Sequence, residues 1–67
     1  MKYTEEEICK IEENIVELLK EKEEMRYGKI AKVLIHKGLV NSSFEVQTIL
    51  KNSDKFISPK TGVWKLA

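Results

Sequence analysis

Cysteine and histidine occur once each in the sequence, as Cys9 and His36. A single thiol cannot close an internal disulfide, and one thiol with one imidazole falls short of the ligand set of a structural zinc, so neither staple nor metal is expected to hold the fold. Long apolar runs are missing too. No stretch approaches the ~20 residues of a membrane span, and Met1-Lys2-Tyr3-Thr4-Glu5-Glu6-Glu7 has no apolar segment of the secretory kind. Both features lead us to expect a reducing, cytoplasmic setting. Repeats, low-complexity tracts and linker-like stretches are absent, and 67 residues make one small domain spanning residues 1–67.

The same scarcity argues against an enzyme. General acid–base and nucleophilic chemistry both need partners held within hydrogen-bond reach. Cys9 and His36 form no such pair by any recognisable spacing, and a chain of this length hardly encloses a pocket. Cys9, at the flank of an apolar helical stripe, reads as a small packing residue, and His36 as a surface residue suited to the negative end of a helix. We therefore expect no catalytic residue, no cofactor and no metal.

Charge is plentiful at 34% of residues, with a net balance of only +1, but it is unevenly placed. Residues 1–24 carry four lysines against nine glutamates, a balance of −5; residues 25–67 carry eight Lys/Arg against Glu45 and Asp54, a balance of +6. An acidic beginning and a basic remainder would turn one surface towards a polyanion and another away from it.

The basic part follows an acidic helix that is easily read. Thr4-Glu5-Glu6-Glu7 is a capping box, with Tyr3 and Ile8 placed for the accompanying staple. Ile8, Ile11, Ile15, Leu18 and Leu19 then recur at spacings of three and four, with Val16 beside them, while Glu12, Glu13, Glu17 and Lys20 fall on the other face. This helix should fade near Glu24, before the aromatic and glycine of Met25-Arg26-Tyr27-Gly28. A short strand over Arg26 to Gly28 is possible there.

A second helix is expected over Lys29 to Lys37, with Ile30, Val33 and Leu34 on its apolar face and Ala31 at the flank. Gly38 is placed to end it in the left-handed conformation, with Leu39 folding back on Leu34 as in a Schellman motif. Asn41-Ser42-Ser43 supplies N-cap candidates for a third helix carrying Val46, Ile49 and Leu50 inward. The connection is short enough for a helix-turn-helix. Phe56-Ile57 and Val63-Trp64-Lys65-Leu66 are strand formers, separated by turn residues from Pro59 to Gly62. An isolated hairpin is marginal in water, so it must cover a side of the helical core, with Phe56, Trp64 and Leu66 inward and its tip left free. The expected class is mainly α with a small β-hairpin (α+β), a winged helix-turn-helix of three helices plus a C-terminal wing.

Two stretches carry a family resemblance: "RYGKIAKVLIHKGLV", an aromatic short strand, second helix and glycine, and "DKFISPKTGVWKL", a closing Phe, turn, Gly, Trp and Leu. Together they resemble the HARE-HTH winged helices, the family of the N-terminal domain of the bacterial RNA polymerase delta subunit. The loop ahead of the third helix is shorter here than is usual in that family. The resemblance implies a winged helix found in transcription, chromatin and restriction proteins, for which DNA binding is often proposed.

In a helix-turn-helix the second motif helix enters the major groove. Its candidate readers here are Ser42, Ser43, Glu45, Gln47, Thr48 and Lys51. Gln47 suits adenine, Thr48 a thymine methyl or a phosphate, and Lys51 a phosphate. Glu45 opposes phosphates unless it accepts from a cytosine. The helix has no arginine, the commonest reader of guanine. Lys60 at the wing tip with Thr61 beside it, Lys55 and Lys65 on the strands, and Lys29 and Lys32 on the second helix are candidates for backbone contact; dimerisation would strengthen so small a footprint. The expected partner is thus double-stranded DNA, bound by a non-enzymatic protein of transcription regulation. The alternative is a protein-interaction module, accessory to a larger complex and docking through Phe44 or the acidic first helix, with Phe44 read either as an exposed anchor or as packing beneath the turn.

Overall fold

The structure is a computed structural model that describes residues 3–67. Three helices and three strands follow in the order α1 (Glu5–Lys22), β1 (Glu24–Arg26), α2 (Tyr27–His36), α3 (Ser43–Asn52), β2 (Phe56–Lys60) and β3 (Val63–Leu66). This is an α+β architecture. The strands form one antiparallel sheet in the order β1-β3-β2, so the last strand lies in the middle.

Local chemistry accounts for most element ends. Thr4 caps α1 through the expected box: its hydroxyl accepts from the Glu7 amide at 3.2 Å while the Glu7 carboxylate accepts from the Thr4 amide at 3.0 Å. The glycine stop of α2 is a full Schellman pair, with the Gly38 amide donating to the Ile35 carbonyl and the Leu39 amide to the Leu34 carbonyl, both at 2.9 Å. Gly38 has φ 76°, the left-handed value that a residue without Cβ adopts at no cost. Ser42 caps α3, accepting from the Glu45 amide.

The core forms where the three apolar stripes meet. Ile11, Ile15 and Leu19 of α1, Ile30, Ala31 and Leu34 of α2, and Val46, Ile49 and Leu50 of α3 are buried, joined by Val40 and Phe56. Ala31, expected at a flank, is fully inside because α2 packs on both other helices' apolar faces. Cys9, in contrast, is exposed and packs against nothing in the core.

Other boundaries differ from the sequence reading. The first strand is Glu24–Arg26 rather than Arg26 to Gly28, and α2 begins two residues before Lys29. The cause is register: Met25 lies opposite Trp64 on β3 with Glu24 opposite Lys65, and the chain then turns into helix where the Tyr27 amide donates to the Gly62 carbonyl at 2.9 Å. To reach that register the chain leaves α1 at Glu23 with φ 69° and ψ −55°, a conformation unfavourable to a side chain and costing of order 1–3 kcal/mol. The hairpin also turns more tightly than expected. Ser58, Pro59 and Lys60 belong to β2, and only Thr61 and Gly62 connect the strands, Gly62 with φ 80°. Pro59 sits at an irregularity between Ile57 and Lys60 on an edge strand, where its missing N–H breaks no ladder. The Ser58 hydroxyl takes over locally, lying 2.5 Å from the Lys60 carbonyl and 2.7 Å from that of Val63.

Trp64 is the main correction to the expected core. It faces inward with Leu66 and packs against the buried cluster, but both stay half-buried, whereas Phe56 is only 4% exposed. The sheet lies at the rim of the helical core, so the larger ring reaches past its edge. Truncation of Phe56 to alanine is accordingly expected to cost about 3 to 5 kcal/mol, and truncation of Trp64 less, as measured by urea unfolding; equal costs would contradict this placement. The glycines make a second test by thermal unfolding. Gly28 has an ordinary φ and open space around it, so Gly28→Ala should stabilise by roughly 0.5–1 kcal/mol, while Gly38→Ala should destabilise by about 1–2 kcal/mol.

Candidate functional site

One end of the molecule gathers the start of α2, the start of α3 and the hairpin tip around an open cleft of about 560 Å³. Arg26, Tyr27, Gly28 and Lys29 form one wall, Ser43 another, and Thr61 with Gly62 the third. The Tyr27–Gly62 backbone bond fixes two of these walls together, and the Tyr27 ring lies 3.8 Å from where a Cβ on Gly62 would project. No carboxylate lines the cleft. Gly28 is required neither by a left-handed conformation nor by a close neighbour, so its effect is to leave the backbone at the start of α2 uncovered. Amides at the first turn of a helix have no intrahelical acceptor, and an anion is a suitable one.

Of the residues singled out by sequence, Lys29, Ser43 and Thr61 meet at this cleft. Lys60 is exposed at the end of β2, next to Thr61 on the same tip. Gln47 and Lys51 lie further along α3, half-buried and exposed respectively. Lys32 and Lys65 are exposed away from the cleft lining. Lys55 is engaged elsewhere, 3.4 Å from the Glu12 carboxylate of α1.

Two expected readers change role. The Thr48 hydroxyl donates to the Phe44 carbonyl at 3.0 Å, one turn back in its own helix. A phosphate offers only acceptors, so that proton is not available to it. Glu45 is turned into the structure: one carboxylate oxygen accepts from the Tyr3 hydroxyl at 2.7 Å and from the Asn41 amide at 2.8 Å. The only acid on α3 thereby becomes a tie between the N-terminal segment, the inter-helix turn and the helix.

Two residues of this surface are not placed by the sequence. Arg26 reads there only as part of a strand, although its position as the sole arginine of the chain, two residues ahead of a glycine, is a usable signal. Phe44 does not pack beneath the turn; it is 72% exposed. Its spacing to Gln47, Thr48 and Lys51, three, four and seven residues, puts it on their stripe, a relation that helical periodicity alone contains. The acids of α1 other than the half-buried Glu12 stay on that helix's solvent face, Glu6, Glu13 and Glu17 among them, and none lines the cleft. Comparison with protein-family models, curated proteins and solved structures finds no match to this chain. No helix among the described residues is long and apolar enough to cross a membrane.

Tyr3 reports on the Glu45 tie. Its hydroxyl is held above the usual phenol value of 10.0, first by the bond to Glu45, then by burial and by the Glu45 charge, with the Asn41 backbone acting the other way. A raised folded-state pKa favours the protonated form, so the contribution is intact below pH 10 and fades as pH rises through the folded value. Unfolding measured from pH 9 upward should therefore show the parent losing stability more steeply than Tyr3→Phe. Parallel curves would show that the Tyr3–Glu45 bond contributes nothing.

Proposed function

We propose that this chain is a winged helix-turn-helix that binds double-stranded DNA, with α3 in the major groove and the β2–β3 hairpin as a wing on the adjacent backbone. Helix order, the tight Gly38 turn and the terminal hairpin support that reading, as does the resemblance to HARE-HTH winged helices in its two quoted stretches. The observation that carries it is the cleft between the hairpin and α3: cationic Arg26 and Lys29, the hydroxyl-bearing Ser43 and Thr61, the side-chain-free backbone of Gly28 and, among the described residues, no acid in its lining. Such a surface fits a phosphate backbone crossing from the wing to the recognition helix. Lys60 beside Thr61 and Lys51 in the last turn of α3 are further exposed cations. The protein is non-enzymatic in this reading, and its role is in transcription or another DNA-bound process.

The 72% exposure of Phe44 favours a second reading, a protein-interaction module docked through that ring. The two part company in salt. If about four cations, Arg26, Lys29, Lys51 and Lys60, neutralise phosphates, the affinity for random duplex should fall with a log–log salt slope of about −4. Lys29→Glu, Lys51→Glu and Lys60→Glu should each weaken binding and flatten that slope by about one unit or more. Gly28→Ala, expected to stabilise the fold, should nonetheless weaken binding by covering the α2 amides. Absence of duplex binding at low salt, or indifference to all three charge reversals, removes the DNA reading.

A further inference from the structure

The solvent stripe of α3 begins with an aromatic ring left largely uncovered among the described residues. Phe44 stands 72% exposed at the head of the helix, and Gln47 follows one turn later on the same face. Exposing a ring of this size forgoes the gain that burial would bring, so its natural counterpart is an apolar group on a ligand. In the major groove the only apolar group on the base edges is the C5-methyl of thymine. Gln47 carries a carbonyl and an amide, the paired acceptor and donor that match the N6 and N7 of adenine.

The groups suited to G·C pairs are missing from that part of the helix. Guanine presents two acceptors and is best read by a donor fork, but Arg26 belongs to β1 and the start of α2, at the cleft. Cytosine presents a donor, for which a carboxylate is the usual acceptor. Glu45 is already accepting from Tyr3 and Asn41. Lys51 lies in the last turn of α3, beyond the N-terminal part that approaches base edges. Apart from the small hydroxyl of Ser43, which faces the cleft, what remains at the reading end is a ring and a carboxamide, separated by three residues or about 4.5 Å of helix rise, comparable with the spacing of neighbouring base pairs.

We infer that α3 selects A·T base pairs, with Phe44 seated against a thymine methyl and Gln47 hydrogen-bonded to the adenine of a neighbouring pair. This rests on the DNA reading proposed above and adds to it a base preference and two residues that determine it. Thr48 lies one turn beyond Phe44, its side chain tied back by its hydroxyl to the Phe44 carbonyl.

Removing one methyl per thymine isolates the contact. Three duplexes of equal length and charge serve: one with an alternating A·T core, the same duplex with every core thymine replaced by uracil, and one with a G·C core. The full chain should bind the thymine duplex about three- to fourfold more tightly than the uracil duplex, the change expected for one buried methyl. Phe44→Ala should bind these two alike, at about the parent's affinity for the uracil duplex. Gln47→Ala should keep the thymine-over-uracil difference while its preference for A·T over G·C shrinks to about that same difference. Phe44 is exposed, so its truncation leaves the core intact, and circular dichroism checks that. Equal parental affinity for thymine and uracil duplexes, or a difference that survives Phe44→Ala, overturns the inference and leaves the ring to a protein partner. Salt-sensitive binding to all three duplexes without preference sinks the base assignment alone; no binding to any of them sinks the DNA reading with it.

Discussion

The pairing of the final strand with the first holds the arrangement together. β3 lies between β1 and β2, and the residue just before it, Gly62, receives the Tyr27 amide at 2.9 Å. A two-stranded ribbon would be marginal alone. Insertion of β3 beside β1 makes it three-stranded and lays Trp64, Met25 and Leu66 against the helical core. It also brings the hairpin tip to the first turn of α2. The cleft is a consequence of that one pairing, since its walls come from segments far apart in the chain.

Electrostatics then divide the surface. The acids of α1 other than Glu12 lie on its own solvent face, Glu12 pairs with Lys55, and Glu45 is consumed in the tie to Tyr3 and Asn41. Among the described residues, what is left lining the cleft and along α3 is positive or neutral, with Glu24 the nearest acid, beside Arg26 and Lys29 on the adjoining surface. The Glu45 network does this while tying the turn between α2 and α3 to the N-terminal segment, so one carboxylate fixes that turn and, in the DNA reading proposed, is withdrawn from the face that would meet phosphates. The exposed stripe of α3 is thereby reduced to a few side chains of distinct chemistry.

Legibility varied with the range of the interaction that decides each feature. The capping box at Thr4, the glycine stop at Gly38 and the three apolar stripes depend on neighbours within about one or two helical turns, and each was legible from spacing. Lys29, Ser43 and Thr61 were singled out separately, but nothing in their order says that they share a cleft. Arg26 passed unnoticed because its importance comes from where β1 hands over to α2. Phe44 was left open because an isolated aromatic beside a cap is compatible with either packing or exposure until the neighbouring turn is placed.

The sequence by itself determined the helices, the order of elements and the opposite charge of the two parts, because capping, periodicity and composition act over a few residues. Tertiary structure alone decided the strand register, the partial exposure of Trp64, the strained exit of α1 at Glu23 and the engagement of Glu45. Each of those follows from a contact between distant segments, and at Glu23 the pairing and burial gained must exceed the roughly 1–3 kcal/mol that the strained conformation costs.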